Sequence, residues 1–176
     1  MAAGMILRAA TSADTPAIAD LGARAFVAKF GHLYSAGNLA RFLSETHTCE
    51  KVAVELAHPG MQIAVIETDG RIVAYAKIIA PSTMPRDHSD AKGPVELKQL
   101  YTDPHLTGQG HGSRLMQWAL DRARDAGGDE LQLSVYSANR AAQRFYARFG
   151  MTRIADTTFQ VGDHVDLEFM MAVRLG

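Results

Sequence analysis

The stretch LYTDPHLTGQGHGSRLMQWAL, Leu100 to Leu120, leaves the chain few options. A strand-like run ends at Thr102, and Asp103-Pro104 breaks it. Gly108, Gly110 and Gly112 then alternate with Gln109 and His111. A helical pattern follows at once, with Leu115, Met116, Ala119 and Ala123 on one face. A glycine-rich turn between strand and helix points several backbone N–H groups one way, beside the positive end of the helix dipole. The missing side chains let an anion approach the backbone. The amides from Gln109 to Ser113 then form a phosphate cradle. A turn that only reverses the chain could use the same glycines, and this stretch alone does not decide between the two.

The spacing excludes the two common phosphate fingerprints. A dinucleotide loop needs G-x-G-x-x-G, and here the third glycine comes one residue early. A P-loop needs a lysine after its last glycine, and none is present. What remains is strand, Asp-Pro, G-x-G-x-G, helix.

The rest of the chain reads as alternating short elements. MILRAAT is a strand. SADTPAIADLGARAFVAKFG is a helix with Ser12 and Asp14 as capping residues and Ile18, Leu21, Ala25, Phe26 and Phe30 inward. AGNLARFLSE and CEKVAVELAH are two further helices. MQIAVIETDGRIVAYAKIIA is a hairpin about a tight Asp-Gly turn. PSTMPRDHSDAKGP is an exposed loop and VELKQLYT a strand. ELQLSVY is another strand, and NRAAQRFYARFG a helix capped by Asn139 and stopped at Gly150. MTRIADTTFQVG and HVDLEFMMAVRL close the chain as an antiparallel pair. The 176 residues, 47 % hydrophobic, suit one α+β domain over residues 1–176, on a largely antiparallel sheet.

These features together resemble the GNAT acetyltransferase superfamily. Its loop core is [Q/R]-x-x-G-x-[G/A]; here Thr107-Gly108-Gln109-Gly110-His111-Gly112 stands in its place. Thr107 departs from the usual Gln or Arg, and His111 replaces an aliphatic residue as a loop histidine, either simply exposed or adding charge near a pyrophosphate when protonated. RFYARFGMTRI is similar to the family's F-Y-x-x-x-G-F segment, with Met151 for Phe. The likeness covers residues 95 to 155. AFVAKFGHLYSAGNLARFL and FQVGDHVDLEFMM are also similar to bacterial polyamine N-acetyltransferases of the spermine/spermidine group. The resemblance implies a GNAT fold: a mixed, twisted sheet of about seven strands with about four or five helices in α/β/α layers.

It also implies chemistry. Acetyl-CoA is the expected donor. Its pantetheine arm would pair with the backbone of Leu100-Tyr101-Thr102, its pyrophosphate with Gly108 to Ser113. Tyr146 is the expected general acid, since a phenol of pKa ~10 matches a leaving thiolate; a buried helix aromatic is its alternative. Asn139 is a helix cap, a cofactor contact, or both. Glu96 is the candidate base, with Lys98 on the same strand parity placed to pair with it, and water is the alternative base. His32 and Tyr34 lie where acceptors enter, and Glu45, Glu50, Asp163, Asp166 and Glu168 are carboxylates that could meet a polyamine or simply face solvent.

Composition narrows the classes. A net charge of −1 gives no field for nucleic acid or an anionic membrane, and no apolar run is long enough to span a bilayer. MAAGMILRAATSAD has no leader pattern. Cys49, the only cysteine, allows no internal disulfide and suits a reducing cytoplasm, where it is a passive thiol. The seven histidines lack ligand spacing, so no metal is expected. The leading expectation is a small-molecule amine N-acetyltransferase that acetylates a polyamine such as spermidine or spermine by direct attack in a ternary complex. A protein lysine or N-terminal acetyltransferase and a non-catalytic acyl-CoA sensor are the competing readings. Many GNAT proteins dimerise, so the resemblance allows a second copy as partner.

Overall fold

In the computed structural model, which describes residues 4–176, the expected order of elements holds throughout. Residues 1–3, the start of the stretch read for a leader, lie outside the described residues. Strand β1 (Ile6–Ala9) is followed by helices α1 (Thr15–Phe30), α2 (Ala36–Thr46) and α3 (Cys49–Ala57). Then come β2 (Met61–Thr68), β3 (Arg71–Ile79), β4 (Pro94–Thr102), α4 (His111–Asp125), β5 (Glu130–Tyr136), α5 (Arg140–Ala147), β6 (Thr152–Val161) and β7 (His164–Arg174). The seven strands form one sheet in the order β1-β2-β3-β4-β5-β7-β6. Every neighbouring pair is antiparallel except β4 and β5.

Helices cover both faces, giving three layers. On one face Ile18 and Leu21 of α1 and Val52 of α3 pack on Ile63, Val65 and Tyr75. On the other, Leu115, Met116, Ala119 and Ala123 of α4 are fully buried against Ala64, Ile66, Ala76, Leu131 and Leu133. This is the inward face read from the helical spacing. The β2–β3 turn has positive φ at both Asp69 (51°) and Gly70 (71°), the type I′ geometry that matches strand twist.

Of the expected caps, Asn139 holds and Ser12 and Asp14 do not; Ser35 and Thr48 are caps that the sequence reading did not name. Ser35, Thr48 and Asn139 accept from the backbone amides of Asn38, Lys51 and Ala142 at the starts of α2, α3 and α5. Asp14 does not cap α1. A short 3-10 turn (Ser12–Asp14) precedes the helix, and the Asp14 carboxylate accepts from Thr11 N at 2.7 Å and pairs with Arg8 at 2.8 Å. A guanidinium in reach is a stronger partner than a neutral helix amide.

The feature that shapes the functional region is the β4–β5 pairing. Only Pro94–Glu130, Val95–Leu131 and Glu96–Gln132 are in register. Beyond them β4 runs on to Thr102 and β5 to Tyr136 without pairing. A bulge lies where the parting begins: Lys77 opposes Gln99 and Ile78 opposes Leu97, so Lys98 is the extra residue on β4. A bulge bends its strand and increases the local twist, which turns β4 away from β5.

Candidate active site

The glycine loop lies at the C-terminal end of β4. Asp103 holds that end: its amide donates to Val73 O at 2.8 Å, and its carboxylate accepts from His105 N at 3.0 Å and from Arg24 at 3.2 Å. The amide of His105, with Arg24 behind it, holds this carboxyl below its ordinary pKa. Gly108 and Gly110 have φ of +78° and +85°, the left-handed region that costs a residue with a Cβ about 1–2 kcal/mol. A Cβ at either would meet nothing within 4 Å. Packing therefore does not demand these two glycines; their left-handed backbone does, and it leaves the turn bare to an approaching anion. Gly112 differs. A Cβ there would lie 3.4 Å from the Phe145 ring, an ordinary contact, so Gly112 faces a packed neighbour where the other two face open space.

The start of α4 is also unsatisfied. Gly110 stands at its N-cap without a side chain to offer. Among the described residues, no carbonyl or side chain accepts from the amides of Gly110 through Ser113. A helix start with free donors is a ready anion site. His111, expected as an exposed and chargeable loop histidine, is instead buried as the first residue of α4. Burial, helped by the Arg114 charge, lowers its pKa, so it brings no positive charge to the cradle. Among the described residues, its Nδ1 has no partner.

Leu100, Tyr101 and Thr102 pair with Ala76, Tyr75 and Ala74 of β3 on one edge, and their other edge faces the gap left by β5. An extended chain can add to such an edge as an extra strand. The Tyr101 ring packs at 5.7 Å from Tyr75 and 5.9 Å from His47. Tyr146, on α5, is half-buried at the edge of the α4-side core, 5.2 Å from the Phe145 ring. Burial pushes its phenol up to about 12, so it is neutral and holds a proton at neutral pH. Burial raises the Tyr101 phenol as well, so it too is neutral.

The remaining candidates separate into two groups. Tyr34 joins the region: its hydroxyl donates to Asp166, its ring stacks on Phe26 at 5.9 Å, and it meets His164 edge-on at 5.3 Å. Asp166 is also 2.9 Å from His164 Nε2, and Glu168 accepts from Ser134 of β5. Glu45, Glu50 and Asp163 stay on the exposed surface, Asp163 paired with Arg41 at 3.1 Å, and His32 is exposed. Glu96 pairs with Lys98 at 3.3 Å, as its strand parity suggested. It also accepts from Thr83 N at 2.9 Å and Thr83 Oγ1 at 2.5 Å. Its carboxylate thus ties down the loop after β3, at the joined end of β4 and β5.

Sequence reasoning missed several polar groups beneath this region. Lys77 is fully buried and pairs with Glu55 at 2.5 Å. Burial lowers its pKa against the upward pull of that carboxylate. The lone lysine inside RIVAYAKIIA was the available signal. His47 is buried with no partner for Nε2, and burial plus the Lys77 charge pushes it down to about 4. Ser134 and Tyr136 carried no local signature at all.

The family model for the acetyltransferase (GNAT) family matches residues 22–151. An uncharacterised N-acetyltransferase of Mycobacterium tuberculosis is 32 % identical over 162 residues, covering 92 % of this chain and 98 % of that protein. One of Lactobacillus delbrueckii subsp. lactis is 27 % identical over 162 residues, 92 % of each. The fold is shared with the PaiA N-acetyltransferase of Thermoplasma acidophilum, crystallised with coenzyme A: TM-score 0.78 at 17 % identity, over 97 % of this chain and 99 % of the other. Taken with the loop and the parted strands, the match over most of its length shows that this chain belongs to the GNAT acetyltransferase family, as an N-acetyltransferase.

Proposed function

We propose that the protein transfers the acetyl group of acetyl-CoA directly to the primary amine of a small cationic molecule, a polyamine such as spermidine or spermine. The observation that carries the donor side is the bare, uncapped glycine turn lying beside the free edge of β4. Amides from Gly108 to Ser113 would hold the pyrophosphate, and Leu100 to Thr102 would hold the pantetheine arm as an added strand. Asn139 already satisfies its own helix through Ala142 N, and its side-chain NH2 remains for a donor contact. The fold shared with an N-acetyltransferase crystallised with coenzyme A supports acetyl-CoA as the donor.

On the acceptor side, Asp166 and Glu168 bring negative charge next to Tyr34 and Tyr101, a surround that suits an alkylammonium. Acetyl-CoA supplies the activated acyl group. The chain's residues position the amine, remove its proton and return a proton to the leaving sulfur. Tyr146 is the proton donor: burial keeps its phenol protonated at neutral pH, and because that same burial makes it a weaker acid than a thiol, its proton moves to the sulfur only as negative charge leaves the thioester beside it.

The test is thiol release from acetyl-CoA over a panel of polyamines, other amines and peptides, for the parent and Tyr146→Phe. Turnover on spermidine or spermine is expected, with kcat reduced about tenfold or more in Tyr146→Phe at unchanged acetyl-CoA affinity. Turnover confined to peptides would replace the polyamine reading by protein acetylation. Binding of acetyl-CoA without any acyl transfer would leave a sensor.

A further inference from the structure

We propose that Glu168 is the residue that receives the acceptor ammonium and takes its proton, and that Glu96 is a structural carboxylate. The inference rests on the acetyl-transfer reading above and names the base of that same site.

Position comes first. Glu168 of β7 stands opposite Tyr136 of β5 in register, and its carboxylate accepts from the Ser134 hydroxyl. It therefore lies over the half of β5 that has parted from β4. Ser134 is exposed although it sits in mid-strand between the buried Leu133 and Val135. Those neighbours point into the α4-side core, so Ser134 and Glu168 line an open floor on the opposite face of the sheet. Ser134 and Tyr136 lie past the last β4–β5 pair, Glu96–Gln132, so Glu168 borders the gap that the free half of β4 faces. Tyr146, on the helix that follows β5, packs on the α4-side core, the other face of the sheet. A carboxylate and a phenol thus approach one gap from its two faces, as an attack on a thioester lying in that gap requires.

Chemistry agrees. The Glu168 carboxylate spends one hydrogen bond on Ser134 and keeps further lone pairs for an ammonium. Burial, and then Asp166 next to it on the same face of β7, push its pKa up against the effect of Ser134. A base raised toward neutrality is the better proton acceptor at neutral pH. Around it stand Asp166 and His164 on β7, Ser134 and Tyr136 on β5, Tyr101 on β4 and Tyr34 before α2. Glu96 is committed elsewhere, to Thr83 and Lys98.

The protons balance. The ammonium gives one proton to Glu168, which passes it to water. The freed nitrogen forms the N–C bond as the C–S bond breaks, and the sulfur takes the Tyr146 proton. The nitrogen then gives up its second proton, which restores Tyr146. The net products are the amide, the free thiol and one proton.

The experiment compares Glu168→Gln, Glu96→Gln and Ser134→Ala with the parent, on whichever amine the parent acetylates. Acetyl-CoA affinity by calorimetry checks the fold of each variant. We expect Glu168→Gln to lose about a hundredfold or more in kcat and to lose more than Glu96→Gln, with acetyl-CoA affinity kept. Removing the Ser134 hydroxyl, which lowers the Glu168 pKa, is expected to move the acidic limb of the kcat/KM profile to higher pH. The proposal is overturned if Glu96→Gln suffers the larger loss, if Glu168→Gln keeps parental kcat, or if the limb stays put in Ser134→Ala. A parent that binds acetyl-CoA yet acetylates no amine would instead sink the transfer reading, and this proposal with it.

Discussion

His47 makes the fold sensitive to acid in a way that can be calculated. It ends α2 with its ring among Phe26, Phe42 and Tyr101, at centroid distances of 6.0, 5.8 and 5.9 Å. No group accepts from or donates to its Nε2, and Lys77 adds a positive charge nearby. The imidazole is therefore held neutral, its pKa pushed down to about 4. The unfolded chain takes up this proton near pH ~6.5. Between these values the unfolded state binds a proton that the folded state refuses, so stability falls as pH falls. The loss is about 2 kcal/mol between pH 7 and pH 5, and about 3 kcal/mol once both states are protonated. Urea unfolding of the parent and of His47→Phe at pH 7 and pH 5 reads the difference directly. The variant is expected to lose about 2 kcal/mol less than the parent over that range. Equal losses would refute the burial and charge argument for His47.

Two further outcomes follow from the packing. Glu55→Gln leaves the fully buried Lys77 without its carboxylate and is expected to cost about 3–5 kcal/mol in chemical denaturation, most of it recovered when Lys77→Met is added. Gly70→Ala and Gly110→Ala place a Cβ at similar positive φ in open space, so each is expected to lose about 1–2 kcal/mol of stability, read as a lower melting temperature.

The elements themselves were legible because their signals are local. The Asp69-Gly70 turn, the spacing of Leu115, Met116, Ala119 and Ala123, and the Asn139 cap all act within a few residues, and each reappears in the structure. So does the glycine loop, whose bareness is a property of its own residues. What was hidden depends on partners distant in sequence. The parting of β4 from β5 follows from a bulge at Lys98, which shows only when β3 is laid beside β4. That bulge also explains why alternation alone could not carry strand parity from Glu96 to Tyr101. His111 lies in a loop sequence that looks exposed, yet the start of α4 turns it inward. Glu168 and Ser134 meet only through the β5–β7 register. In the sequence, Glu168 was one carboxylate among several with no feature to rank it above Glu45 or Asp163.

The most direct measurement is a calorimetric titration of acetyl-CoA into the parent, Gly110→Ala and Gly70→Ala. The two substitutions impose matching backbone strain, but only one lies in the proposed phosphate cradle. The account predicts saturable binding to the parent, equal binding to Gly70→Ala, and affinity lower by about tenfold or more in Gly110→Ala, the worth of one charge-assisted hydrogen bond. Parental affinity in Gly110→Ala, or no binding by the parent, would contradict it.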